Sequence, residues 1–234
     1  MSDDVDDLIP LDPGFGDRFE RQRRPVCQLY IVSPPVIDTG FADRLRAALG
    51  AGPVAAFQLR MKDVDDAAIL RAAEVLVPIC NAHEVAFILN DRMDLAKTCG
   101  ADGVHLGQSD GSAREARALL GPDAQIGVTC HDSRHLAMEA GEAGADYVAF
   151  GAFYETTTKP SHYRPEPSLL SWWTTLSQLP CVAIGGITPA NAPPLIAAGA
   201  DFIAVVNAVW THPDGPAAGV AAFAPVLAGE LAAR

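Results

Sequence analysis

Little in this 234-residue chain could act as a covalent or metal staple. Its five cysteines (Cys27, Cys80, Cys99, Cys130, Cys181) are odd in number, scattered, and set mostly inside apolar segments without metal-ligand spacing. That excludes a disulfide scaffold and predicts reduced core residues of a cytoplasmic protein. No run of about eighteen uninterrupted apolar residues occurs, so no membrane-spanning helix is expected. Positive charge is scarce too. Lys+Arg number 17 against 29 Asp+Glu, a formal charge of -12. Such a balance repels nucleic acid and anionic lipid, leaving small molecules as the expected partners and making any basic residue at a pocket a local device. The opening stretch, "MSDDVDDLIPLDPGFGDRFERQRR", is acidic then basic, unlike a signal peptide, and reads as a loose arm over residues 1–24.

What is abundant is apolar sequence. With 49% hydrophobic and 20% charged residues, the chain can bury a large core unaided, and a single domain over residues 25–234 is expected. Eight β-rich runs recur between segments of helical spacing: "CQLYIVS", "VAAFQLR", "VAFILN", "GVHLG", "AQIGVT", "DYVAFG", "CVAIGG" and "DFIAVV". Strands alternating with helices imply parallel crossovers, and eight in this length imply a closed (β/α)₈ TIM barrel. An open doubly wound sheet would want a glycine fingerprint after the first strand, which "YIVSPPVIDTG" lacks. Nothing in the pattern specifies or excludes a homo-oligomer.

Three joints nearly repeat: "CGADGVHL", "AGADYVAF" and "AGADFIAV". Each glycine suits the left-handed residue that ends a helix, and a strand starts after the aspartate. Asp102, Asp146 and Asp201 are therefore expected at the bottom of the barrel in structural roles. Chemistry belongs at the opposite ends of the strands.

There the residues change character. In "VAAFQLRMK" the period of two sends Phe57, Leu59 and Met61 one way and Gln58, Arg60 and Lys62 the other; helices cover the outside, so the polar ladder must face the mouth. Strand three ends in "LNDR", where Asn90 and Asp91 arrive together and Asp91 could cap a helix or do chemistry. In "GQSDGSAREAR", Ser112 and Glu115 form a capping box, which leaves Asp110 free of that duty. Two carboxylates at adjacent strand tops, beside an amide and two cations, suit Mg²⁺ with substrate phosphates. Strand five brings the Thr129 hydroxyl, then His131 and His135 at i, i+4 spacing. Without a third soft ligand these do not make a zinc site; His131 reads as an acid or base, or as a hydrogen-bonded loop residue, and Asp132 or Ser133 as a cap. In "AIGGITPAN", Gly185 and Gly186 allow close backbone approach by a ligand or serve their own turn, and Thr188–Pro189 reads as a helix start. "GAFYETTTKP" supplies Thr156, Thr158 and Lys159 after strand six. The inventory describes two anion sites at one mouth, one for a pyrophosphate and one for a monophosphate.

In this order the motifs resemble the thiamine phosphate synthase family: "QLRMK", "NDR", "GVHLGQSD", "TTTK" and "AIGGIT" fall at the strand ends, over residues 26 to 210. The resemblance implies that 4-amino-2-methyl-5-pyrimidinylmethyl diphosphate is joined to 4-methyl-5-(2-phosphooxyethyl)thiazole, with largely dissociative loss of pyrophosphate. Carried over by position, Gln58, Arg60, Lys62, Asn90, Thr129 and Lys159 would hold the pyrimidine diphosphate, with Arg60, Lys62, Lys159 and Thr129 assisting the chemistry. Asp91 and Asp110 would hold Mg²⁺, and Thr156, Thr158, Gly186, Val206 and Asn207 the thiazole phosphate. The chain departs from the pattern at "GAFYE", where Glu155 falls near a phosphate loop, and at Thr129 and Asn207, where the family usually has serine. A thiazole tautomerase-like paralogue and a non-catalytic barrel binding a thiamine precursor are the competing expectations; retention of Arg60, Lys62, Asp91 and Asp110 argues against both.

Overall fold

The computed structural model describes residues 24–156 and 162–228. All but one residue of the amino-terminal arm, and Thr158 and Lys159, lie outside the described residues.

Eight parallel strands close into a barrel in sequence order. They are β1 Gln28–Val32, β2 Val54–Leu59, β3 Ala86–Asn90, β4 Gly103–Leu106, β5 Gln125–His131, β6 Tyr147–Phe150, β7 Cys181–Ile184 and β8 Phe202–Val205, and β8 returns to pair with β1. All eight coincide with the expected β-rich runs. The helices between them are α1 Phe41–Leu49, α2 Asp66–Ala82, α3 Met93–Cys99, α4 Ala113–Leu120, α5 Arg134–Glu142, α6 Ser168–Leu176 and α7 Pro193–Ala197; short helices α8 Asn207–Trp210, α9 Pro216–Ala221 and α10 Ala224–Ala228 follow β8.

Strand alternation divides the core in two. Leu29, Ile31, Phe57, Leu59, Phe87, Leu89, Val104, Leu106, Val148 and Phe150 point outward and pack with the helices in one continuous cluster. Tyr30, Val32, Ala56, Ile88, Tyr147, Ala149, Val182 and Ala204 form a smaller cluster along the barrel axis. The outer layer carries most of the apolar burial, at roughly 25 cal/mol per Å² removed from water. The inner layer has to fill a narrow cylinder, and one strand gives way to do it: a Cβ on Gly127 would stand 2.0 Å from the Tyr147 ring. Glycine in "AQIGVT" is therefore what admits that tyrosine.

The three repeated joints behave alike. Gly100, Gly144 and Gly199 all have positive φ. Each aspartate then reaches across to the neighbouring strand: Asp102 accepts from Phe87 N at 2.7 Å, Asp146 from Ile126 N at 2.7 Å and Asp201 from Cys181 N at 2.8 Å. Arg117 and Arg24 pair with Asp146 and Asp201 at 2.5 and 2.6 Å. These carboxylates satisfy backbone donors at the barrel floor, as expected of structural residues.

Ser112 caps α4 in a complete capping box with Glu115, and Ser133 caps α5. One expected helix start is corrected. Thr188 opens a turn, its carbonyl accepting from Asn191 and Ala192, and α7 begins only at Pro193. The Pro193–Pro194 pair supplies the preset φ and absent donors of a first turn, so the start falls there.

Candidate active site

Every described residue expected at the site lies at or just beyond the carboxyl end of a strand. Gln58 is inside the barrel near the end of β2, 5% exposed, with Arg60 and Lys62 beyond it. Asn90 ends β3 and Asp91 follows at φ 66°, a left-handed residue. Arg92, not Asp91, occupies the start of α3, so the capping alternative for Asp91 fails. Asp110 lies on the loop between β4 and α4, Thr129 in β5, Thr156 on the loop after β6, Gly186 after β7, and Val206 and Asn207 at the start of α8.

Lys62 Nζ pairs with Asp91 Oδ2. Asp110 lies within hydrogen-bonding reach of Asp91, so the two carboxyls crowd one another. Burial, foremost, and Asp110's like charge push the Asp91 carboxyl above its ordinary range, against the pull of Lys62. Asp110 is itself held in place by Gly107 N, which donates to Oδ2 at 2.9 Å. Two crowded carboxyls fit a Mg²⁺ ion, which takes one or two carboxylates and completes its shell with water and phosphate.

Arg60 is fixed by its backbone, where N donates to Ser33 Oγ at 2.9 Å. Its guanidinium has no hydrogen-bond or ion-pair partner among the described residues. Gln58 Nε2 donates to Tyr30 Oη at 3.1 Å, whereas its Oε1 has no partner among the described residues. A nearly buried carbonyl oxygen without a donor, near an unengaged guanidinium in sequence and on the same strand end, is a site lacking its ligand's polar groups.

The glycine turn serves the fold as well as any ligand. A Cβ on Gly185 would meet Ala152 Cβ at 2.3 Å, and one on Gly186 would meet the Glu155 carbonyl at 2.2 Å. Both glycines are required because the chain after β6 runs directly over the chain after β7, with Phe153 N and Tyr154 N donating to Ile184 O and Gly185 O. Tyr154 Oη adds a 2.7 Å bond to Asn191 O. The Glu155 side chain is exposed.

His131 and His135 diverge. His131, at φ 54°, stacks on Tyr163 with ring centres 4.2 Å apart, whereas His135 reaches Glu139 at 3.3 Å along α5.

Three residues inside the barrel, beneath the mouth, carry no distinct signal in the sequence: Tyr30, His105 and Tyr147. They connect Gln58 to Thr129 across the barrel. Tyr30 Oη lies 3.0 Å from Tyr147 Oη, Tyr147 Oη 3.1 Å from His105 Nδ1, and His105 Nε2 2.8 Å from Thr129 Oγ1. Only parity marks them, since each sits at the inward parity of an otherwise apolar strand.

Comparison with known proteins identifies the family. Residues 29–209 match the family described as thiamine monophosphate synthase. A thiamine-phosphate synthase of Rhodospirillum centenum is 60% identical over 204 residues, covering 87% of this chain and 99% of the relative. Another, from Erythrobacter litoralis, is 58% identical over 86% of this chain and 95% of its own length. The solved structure of thiamine phosphate pyrophosphorylase from Pyrococcus furiosus superposes with a TM-score of 0.77 at 27% identity, covering 87% of this chain and 96% of that one. With residues 29–209 matched by the family and a relative 60% identical over 87% of its length, the chain belongs to the thiamine monophosphate synthases.

Proposed function

We infer that this protein joins the pyrimidine and thiazole halves of thiamine phosphate. The observation that carries the reading is the meeting, at one barrel mouth, of an unpaired guanidinium, Arg60, with the crowded carboxylate pair Asp91 and Asp110. Fixed cation and hard oxygen donors are what a departing pyrophosphate needs; a protein nucleophile is not.

In this reading the Gln58 carbonyl oxygen accepts from the exocyclic amine of the pyrimidine. Arg60, Lys62, Asn90 and Lys159 hold the diphosphate oxygens, and the Thr129 hydroxyl donates to it. The bond between the pyrimidine methylene and the diphosphate oxygen breaks with both electrons leaving on pyrophosphate. The thiazole nitrogen then gives its lone pair to the methylene carbon, closing the new C–N bond. Thr156, Thr158, Gly186, Val206 and Asn207 hold the thiazole phosphate, with the backbone N–H groups of Gly186 and Val206, which have no acceptor among the described residues, as donors. Asp91 and Asp110 would hold Mg²⁺, which supplies charge to the leaving pyrophosphate when bound. With Mg²⁺ held at Asp91, Lys62 would be free to engage a phosphate oxygen. No helix of the described residues is long and apolar enough to cross a membrane, in keeping with small phosphorylated substrates and a cytoplasmic setting.

The test is thiamine phosphate formation by the purified protein given Mg²⁺, the pyrimidine diphosphate and the thiazole phosphate. Product is expected, and is lost in Lys62→Ala and Asp91→Ala. A folded wild-type protein that binds either substrate and makes no product overturns the reading.

A further inference from the structure

The hydrogen bonds between Gln58 and Thr129 permit only one arrangement of protons. Tyr30 and Tyr147 are 4% and 7% exposed, and burial pushes both phenols well above their ordinary range, so each keeps its single proton. Tyr30 Oη touches two groups, the Gln58 amide nitrogen and Tyr147 Oη. An amide nitrogen donates and cannot accept, so the Tyr30 proton has Tyr147 as its acceptor. Tyr147 has one other partner, His105 Nδ1, and its proton goes there. Nδ1 is then an acceptor, which places the imidazole's proton on Nε2, and Nε2 donates to Thr129 Oγ1 at 2.8 Å. The Thr129 hydroxyl, having accepted inside the barrel, keeps its own proton, for which the described residues offer no acceptor. Running the chain backward strands the Tyr30 proton in the barrel core with no partner, the costly outcome for a buried donor.

We propose that Tyr30, Tyr147 and His105 are positioning residues that fix His105 as the neutral Nε2–H tautomer and thereby hold the Thr129 hydroxyl as an obligate donor to a bound anion. The identity of that anion as the departing pyrophosphate rests on the activity inferred above; the direction of the chain does not. The arrangement also couples the two ends of the pyrimidine site. Gln58, whose Oε1 would accept from the ring's amine, is turned so that its nitrogen starts the relay. A ligand that engages Oε1 correctly therefore holds the chain in the sense that presents the Thr129 proton.

Histidine tautomers are read directly from long-range ¹H–¹⁵N correlation spectra of ¹⁵N-labelled protein. The chain has six histidines, and the His105 signals are those that vanish in His105→Gln. The expected result is a single Nε2–H pattern in the wild type that becomes a mixture of tautomers in Tyr147→Phe and, should that variant fold poorly, in Tyr30→Phe. Tyr147→Phe should also lower kcat about tenfold, the worth of one well-formed hydrogen bond, with the KM of the pyrimidine substrate nearly unchanged. Thr129→Ser should retain activity that Thr129→Val loses. An Nδ1–H or doubly protonated His105 in the wild type overturns the proposal, as does a tautomer that both phenylalanine variants leave unaltered. Failure of the inferred activity shows separately, as a wild-type protein that makes no thiamine phosphate whatever its His105 tautomer.

Discussion

Aspartates stand at both ends of this barrel, in opposite circumstances. At the floor, Asp102, Asp146 and Asp201 each accept a backbone N–H from the adjacent strand, and arginines complete two of them. At the mouth, Asp91 and Asp110 crowd each other, and burial with like charge raises the Asp91 carboxyl. A carboxylate supplied with donors stabilises the fold; two carboxylates pressed together cost stability until a cation arrives. The floor was built for folding and the mouth for a ligand, from the same side chain.

Exchanging the two kinds of aspartate should separate the two properties. The largest effect expected is on turnover: Asp91→Asn should lower kcat/KM by roughly a hundredfold or more, in line with loss of one preorganised charge in a site of this kind, while Tm stays level or rises. Rising Tm follows because the substitution removes a crowded charge. Asp201→Asn should do the reverse. It leaves a buried N–H and the Arg24 guanidinium poorly matched, costing about 1–3 kcal/mol in denaturant unfolding with kcat/KM of the folded fraction retained. Loss of stability from the first, or of turnover alone from the second, would break the contrast.

The raised Asp91 carboxyl gives the contrast a pH dependence. Between its ordinary and raised values the folded protein binds more protons than the unfolded chain, so metal-free stability falls as pH rises through that window. Magnesium should offset the loss, because it binds the ionised pair. The increase in Tm on adding Mg²⁺ is therefore expected to be larger at neutral pH than at acid pH close to the ordinary aspartate range, and Asp91→Asn should flatten the difference. Equal shifts at both pH values would place the ion elsewhere.

Much of this was legible in the sequence because two signals are local. Parity along "VAAFQLRMK" predicts one face for Gln58, Arg60 and Lys62 as far as the run stays extended, and the Gly-Ala-Asp joints mark strand starts through a left-handed residue only glycine adopts cheaply. The capping box at Ser112 depends on four consecutive residues, and it appeared as read. What failed to show depends on other segments. Tyr30, His105 and Tyr147 pass for ordinary strand residues; their meaning comes from meeting across a closed barrel, with Gly127 making the room. Thr188–Pro189 carried a helix-start signal that lost to Pro193–Pro194, once Asn191 Oδ1 had taken the Thr188 N–H at 2.7 Å. The glycine turn reads as close ligand approach or as a turn with its own need for glycine, and the structure adds the chain laid over it after β6.

The smallest effect expected lies at that crossing. Glu155 backbone packs against Gly186, while its side chain is exposed beside the loop assigned to the thiazole phosphate. An exposed carboxylate near a bound dianion repels it weakly, through high-dielectric solvent and over a distance that salt screens. Glu155→Gln should accordingly lower the KM for the thiazole phosphate by about two- to threefold without changing kcat, and the gain should shrink as ionic strength rises toward 0.5 M or so. The KM of the pyrimidine diphosphate, assigned above to Arg60 and Lys62 beyond β2 and to the carboxylate pair, should not move. A gain confined to the pyrimidine substrate would exchange the two anion sites; a loss of thiazole affinity would mean that Glu155 serves the site, through a contact to the thiazole half that its charge makes.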